Sequence, residues 1–144
     1  MYRALAETVE LFEAGLASCH RSEDRAVVDN YLAALAPILA GAVLGKDVLA
    51  RIKQVERLFG QTWLIDQSPF EPALSKWREF RQEYERFVVR GMTVNERLHA
   101  FSLLESYDQA EANKNIKEIE RILKAVHVDD DSIENIVASI RGTA

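Results

Sequence analysis

Glu96 and His99 are the two side chains whose types and spacing come closest to those of a metal site. They stand three residues apart on a predicted helix, which puts a carboxylate and an imidazole on one face. Di-iron bundles use this pair twice and add a Glu from each of two further helices. The other histidines, His20 and His127, follow Ala and Lys at that spacing, so no second pair exists. Since Glu96 also fits a helix cap with Thr93, we predict a cap, a surface histidine, and no metal or cofactor.

Two other groups of reactive side chains have structural explanations. Cys19 and His20 could form a thiolate–imidazole pair, but adjacent helical residues point about 100° apart. Cys19 continues an apolar stripe, so we predict that it lies in the core. The acidic run 129–131 could attract a cation, yet a calcium loop needs alternating oxygen ligands and a distant bidentate Glu. We interpret the run as the solvated start of the last helix, and we identify no catalytic residue.

Trp63, Leu64 and Ile65 form an apolar run that lacks helical spacing. One strand would have no partner, so we predict an extended loop at 60–68. We expect the core to bury this loop, and we keep the alternative that it is an exposed docking patch, because Trp is enriched at binding hot spots. The candidate contact residues for a partner or ligand are Trp63, Leu64, Trp77, Tyr84 and His99. A pocket assembled from dispersed residues would be lined by Tyr31, Trp63, Trp77, Tyr84 and His99.

Apolar side chains recur at intervals of three and four residues along most of the chain, which predicts an all-α fold. Two stripes are long, one from Tyr2 to Cys19 and one from Ala73 to Phe87. We predict a bundle of about seven helices at 2–20, 23–44, 47–59, 70–89, 93–112, 115–126 and 131–141. Pro37 should kink the second helix, because proline lacks an N–H and crowds the preceding turn.

Length, charge and cysteine content limit the class of protein. The 144 residues predict a single domain over 1–144, within which 92–144 is a candidate three-helix subdomain. The net charge of −5 repels phosphate backbones and argues against nucleic acid as a partner. The most apolar stretch, residues 31–44, contains no charge but is shorter than the roughly 20 residues of a membrane span. The single cysteine favours a cytoplasmic protein.

Residues 92–141 carry the chain's likeness to other proteins. They begin Met-Thr-Val-Asn-Glu-Arg-Leu and continue with Leu-Leu-Glu-Ser-Tyr-Asp at 103–108 and Ile-Glu-Arg-Ile-Leu-Lys at 119–124. This segment resembles small uncharacterised bacterial helical proteins that begin Met-x-Val-Asn-Glu-Arg-Leu. The resemblance implies a bacterial origin and assigns no activity and no functional residue.

Well-formed helical faces without a catalytic constellation favour a non-enzymatic interaction protein of an accessory, antitoxin-like or immunity-like kind. The two long stripes also motivate the hypothesis of a homodimer. The alternative is a small-molecule-binding protein, or an enzyme whose site is assembled from dispersed residues. An exposed patch around Trp63 would favour the interaction protein, whereas a deep apolar cavity with convergent polar groups would favour the alternative.

Overall fold

The computed structural model describes residues 2–43 and 46–142, apart from the side chain of Lys46, and these ranges contain helices but no strand. The α-helices in them are α1 (Arg3–Ser18), α2 (Ser22–Leu39), α3 (Lys46–Gln61), α4 (Glu71–Val89), α5 (Val94–Ala100), α6 (Leu104–Ala112), α7 (Ile116–Ala125) and α8 (Asp130–Gly142). A 3₁₀ turn, Ser68–Phe70, precedes α4. The all-α prediction is confirmed. Across the described ranges, no helix combines the length and the apolar character that crossing a membrane requires.

The chain divides into two compact units, Met1–Glu85 and Arg86–Ala144. The division falls within α4, so the last turn of that helix is counted with the second unit. The second unit contains four complete helices, α5 to α8, where we predicted a subdomain of three. The single domain predicted over 1–144 stays a prediction.

Aromatic side chains fill the core of the first unit. The ring of Phe12 on α1 lies 5.8 Å from Tyr31 on α2, and Tyr31 lies 4.6 Å from Phe59 on α3. Phe59 then meets Trp77 on α4 edge-on at 5.6 Å. Tilted and edge-on contacts of this kind match the charge distribution of aromatic rings. The four longest helices of the unit are therefore joined through one continuous aromatic row.

Gly15 allows the 3₁₀ turn to pack against α1. A β-carbon at this position would lie 2.6 Å from the ring of Phe70 and 2.7 Å from the carbonyl oxygen of Pro69, closer than real contacts allow. Phe70 is fully buried in the space that the missing side chain leaves. The helical stripes do not indicate this role, because Gly15 lies outside the apolar positions that define them.

The core of the second unit is aliphatic and centres on α7. Ile119, Ile122 and Leu123 on this helix are fully buried, and Leu98 on α5 and Val126 join them. Their spacing gives α7 one apolar face and one charged face, as expected of a helix that covers a core from one side.

Four helices end in the same backbone arrangement. The second residue after the helix is left-handed, and the next amide donates a hydrogen bond to the carbonyl five residues back, which satisfies a carbonyl of the last turn. Gly41 takes the left-handed position after α2, with φ of 72°. Ser102, Lys114 and His127 take it after α5, α6 and α7, with φ of 58°, 50° and 61°. Three of these four positions therefore carry a side chain where glycine is favoured.

The turn at Ser102 corrects the predicted helix 93–112. Leu103 N–H donates to the carbonyl of Leu98 at 2.8 Å, so that α5 ends at Ala100 and α6 begins at Leu104. The apolar spacing continues through this turn, which is why the sequence predicts one helix. Counting α5 and α6 separately gives eight helices in the described ranges rather than about seven.

Other helix boundaries also differ from the predictions. α2 ends at Leu39, because Gly41 starts the turn described above, while the predicted end at 44 lies outside the described residues. Pro37 lies inside α2, and its predicted kink stays a prediction. Gly60 belongs to α3, which runs on to Gln61. Phe87, the last member of the predicted α4 stripe, is exposed by 53%, so the buried stripe ends at Tyr84.

Candidate functional site

The loop between α3 and the 3₁₀ turn, residues 62–67, is called the Trp63 loop. Trp63 is exposed by 85% and Ile65 by 61%, whereas Leu64 between them is exposed by only 8%. In an extended segment, side chains two residues apart lie on one side at a separation of about 7 Å. Our expectation of a buried loop is therefore wrong for Trp63 and Ile65 and holds for Leu64. Of these three residues, only Leu64 contributes its side chain to the core.

Asp24 on α2 fixes the middle of the Trp63 loop. Its carboxylate is exposed by only 1%; Oδ1 accepts the Ile65 N–H at 2.7 Å and Oδ2 accepts the Asp66 N–H at 3.0 Å. A buried carboxylate is costly unless hydrogen bonds replace its water. Both oxygens therefore bind the loop backbone, and two consecutive residues of the loop are tied to α2.

Hydrogen bonds from hydroxyl and backbone N–H groups fix the two ends of the loop. The Thr62 hydroxyl donates to the carbonyl of Leu58 at 2.6 Å and lies 2.8 Å from the Tyr31 hydroxyl. At the other end, the Asp66 carboxylate accepts the Ser68 N–H at 3.1 Å. The loop is thus held at its start, middle and end, while Trp63 and Ile65 point into solvent.

A hollow of about 440 Å³ lies against Trp63, Leu64 and Ile65. Apolar side chains line most of it among the described residues, and the buried Leu64 forms part of its floor. The loop therefore offers a projecting indole and, beside it, a space that could receive an apolar side chain.

Two of the other candidate contact residues belong to the core. Trp77 is exposed by only 1%, and its indole N–H donates to Oε1 of Glu56 at 2.6 Å. Tyr84 is buried against Phe80, with ring centroids 5.9 Å apart, and burial raises the pKa of the Tyr84 phenol. Tyr31, a further residue of the predicted pocket, is also buried, and its hydroxyl lies beside that of Thr62 in the loop. These side chains stabilise the first unit and present no surface to a partner.

His99 lies in the second unit, exposed on α5. Glu96 N–H donates to the Thr93 hydroxyl at 3.2 Å, and Thr93 N–H donates to the Glu96 carboxylate at 3.4 Å, so the predicted capping box is confirmed. Cys19 is buried, as the stripe predicts. Asp129 caps α8 by accepting the N–H and the hydroxyl of Ser132, and these bonds lower the pKa of its carboxyl.

A second concave surface runs along α3 and α4. It is a groove of about 540 Å³ that includes Glu56, Phe59, Leu74, Trp77 and Arg78. Its fixed polar group is the Glu56 carboxylate, which accepts the Trp77 indole and lies 3.4 Å from Nε of Arg81. These partners come from the protein itself, and the other polar side chains that line the groove are Gln67, Glu71, Ser75 and Arg78. Over 2–43 and 46–142, no three His, Cys, Asp or Glu side chains lie close enough to hold a metal ion.

Nothing in the sequence indicates that Asp24 organises the Trp63 loop. Its place near the start of α2 fits an acid at the positive end of a helix, which hides its second role. The amides it binds lie 41 and 42 residues further along the chain, and no local pattern connects them. In comparisons with known proteins, no family model, no curated protein and no solved structure matches the chain.

Proposed function

We propose that this chain is a non-enzymatic protein-interaction module whose contact surface is the Trp63 loop. The observation that carries the proposal is an indole exposed by 85% on a loop that is hydrogen-bonded at three places. Exposed apolar side chains of this size often mark a partner site, and Trp is enriched among residues that dominate binding energy.

The hydrogen bonds of the loop support the same proposal. A loop that is already ordered loses little conformational freedom when a partner binds, so more of the contact energy appears as affinity. Asp24 and Thr62 place these bonds beneath and beside the exposed residues, where a partner would not disturb them.

Finer parts of the proposal rest on the sequence. The resemblance of residues 92–141 supports a bacterial protein, and the lone cysteine supports a cytoplasmic one with an accessory, antitoxin-like or immunity-like role. The homodimer stays a hypothesis that rests on the two long stripes, in which Phe12 and Trp77 are buried within the chain itself.

Site-specific cross-linking in living cells of the source organism tests the proposal. A photoreactive phenylalanine derivative replaces Trp63 in one variant and the exposed Phe87 in a control. We expect one polypeptide to cross-link at position 63 and not at position 87. The purified polypeptide should then bind the unmodified chain about tenfold or more tightly than it binds Trp63→Ala. Equal cross-linking at both positions, or equal affinity for both chains, would contradict the proposal.

A further inference from the structure

We propose that the partner surface bound by the Trp63 loop is an amphipathic helix with apolar residues one turn apart and basic residues along its flank. This inference rests on the proposed function and adds the chemistry of the partner.

The backbone of the loop is poorly suited to pair with an added strand. Strand addition uses free main-chain donors and acceptors along an edge. Here the consecutive amides of Ile65 and Asp66 both donate to Asp24. Recognition at this point therefore depends on side chains, and a helix presents side chains without offering its own backbone groups.

The geometry of the exposed side chains fits one face of a helix. Trp63 and Ile65 are exposed while Leu64 between them is buried, and in an extended chain residues two apart lie on one side at a separation of about 7 Å. Residues four apart on a helix are separated by about 6 Å along its axis. Apolar residues at i and i+4 could each contact one of the two exposed side chains. The hollow of about 440 Å³ beside the loop could take a third apolar side chain from the same helix.

Negative charge around the loop favours basic residues along the flank of that helix. Asp66 is exposed in the loop and forms no ion pair with the described part of the chain, whereas the Asp24 carboxylate is buried and already bound by loop amides. Residues 1–85 carry 10 basic and 13 acidic side chains, for a net charge of −3. A basic helix would be attracted to this surface, whereas a second copy of the chain would bring the same negative charge and be repelled.

Two synthetic peptides test this inference with the full chain. Both are helical with Leu at i and i+4; the basic peptide carries Lys at its flanking positions, and the acidic peptide carries Glu at the same positions. Fluorescence anisotropy of the labelled peptides measures their affinity. We expect the basic peptide to bind about tenfold or more tightly than the acidic one, and its affinity to fall as salt increases.

Four variants assign the binding to the loop. Trp63→Ala should weaken binding of the basic peptide about tenfold or more. Asp66→Asn should weaken binding less and should reduce the dependence of the affinity on salt. Phe87→Ala, which removes an exposed aromatic ring elsewhere, should leave its affinity unchanged. Leu39→Ala, an exposed position on α2, is a second matched control. Because all four side chains are exposed, circular dichroism should show the wild-type fold in each variant.

Three outcomes would overturn the inference. The first is equal affinity for the two peptides or no binding of either; the second is loss of binding in Phe87→Ala as large as in Trp63→Ala. The third is association of the chain with itself through Trp63, shown by sedimentation. None of these outcomes decides whether the Trp63 loop is a protein-interaction surface, which cross-linking at position 63 tests separately. A cross-linked partner without a basic helix would support the proposed function and refute this inference.

Discussion

Asp24 is the single residue on which the shape of the Trp63 loop depends most directly. Asn at this position would replace one carboxylate oxygen with an NH₂ group that faces a backbone N–H, leaving a buried donor without an acceptor. We expect Asp24→Asn to lower the free energy of unfolding by about 1–3 kcal/mol in urea denaturation. The control Asp29→Asn changes an exposed residue of the same helix and should shift stability by less than about 0.5 kcal/mol. Equal stability of the two variants would show that the Asp24 bonds contribute little.

Gly15 provides a second test at the scale of one residue. A methyl group in Gly15→Ala would meet the Phe70 ring and the Pro69 carbonyl, which must move together with the 3₁₀ turn. We expect a loss of about 1–3 kcal/mol in unfolding free energy. Gly60→Ala adds the same methyl group where no atom lies within 4 Å, and it should stabilise α3 by about 0.5–1 kcal/mol. A stabilised Gly15→Ala would contradict the close packing of α1 against the turn.

At the scale of the element, the left-handed residue after α5 predicts a stabilising change. Ser102 holds φ of 58°, a conformation that is unfavourable for residues with a β-carbon. Ser102→Gly removes that cost, and we expect thermal or urea unfolding to show a gain of up to about 1 kcal/mol. The matched Ser106→Gly lies within α6, where glycine should lower stability by about 0.5 kcal/mol. If Ser102→Gly destabilises as much as Ser106→Gly, then α5 and α6 do not separate at this turn.

The start of α8 predicts a dependence of stability on pH. Bonds from the Ser132 hydroxyl and amide lower the pKa of Asp129 in the folded chain below its ordinary value of 3.8. A lowered carboxyl pKa stabilises the fold above the ordinary value, and this contribution disappears as pH falls through the folded pKa.

Asp129→Asn keeps an acceptor for the cap and removes this titration. We expect thermal unfolding to show a higher midpoint for the wild type at pH 7 and a smaller difference between the two chains near pH 3. The control Asp108→Asn, exposed in the middle of α6, should not reproduce this convergence. A difference that is constant across the pH range would show that the charge of Asp129 plays no part in the cap.

For the molecule as a whole, sequence periodicity predicts the helices well, but it predicts poorly the turns between them and the exposure of loop side chains. The stripes of α1 and α4 follow from spacing alone, because a helix with one apolar face has few other ways to bury it. The turn at Ser102 has no such signal, since the apolar spacing continues across it. The exposure of Trp63 also has no local signal, because the aromatic residues of the core, Phe12, Tyr31, Phe59 and Trp77, meet through contacts between positions far apart in the chain.

The proposed site shows the same limit. Trp63 and Leu64 are in the candidate set from composition and position, but the sequence does not indicate that one faces solvent and the other the core. Trp77 and Tyr84 are aromatic residues of the same candidate set as Trp63, yet both are buried in the core. The sequence does not connect Asp24 with the loop, because its two hydrogen-bond partners lie 41 and 42 positions further along the chain and local spacing does not indicate such distant contacts.

Hydrogen exchange followed by NMR on the full chain tests whether a hydrogen-bonded loop holds the Trp63 indole in solvent. We expect the amides of Ile65 and Asp66 to exchange slowly and Asp24→Asn to accelerate their exchange about tenfold or more. We also expect the indole N–H of Trp63 to exchange rapidly, while that of Trp77, bound to Glu56, is protected. Rapid exchange at Ile65 and Asp66 in the wild type, or a protected Trp63 indole, would show that the loop is not held in this way.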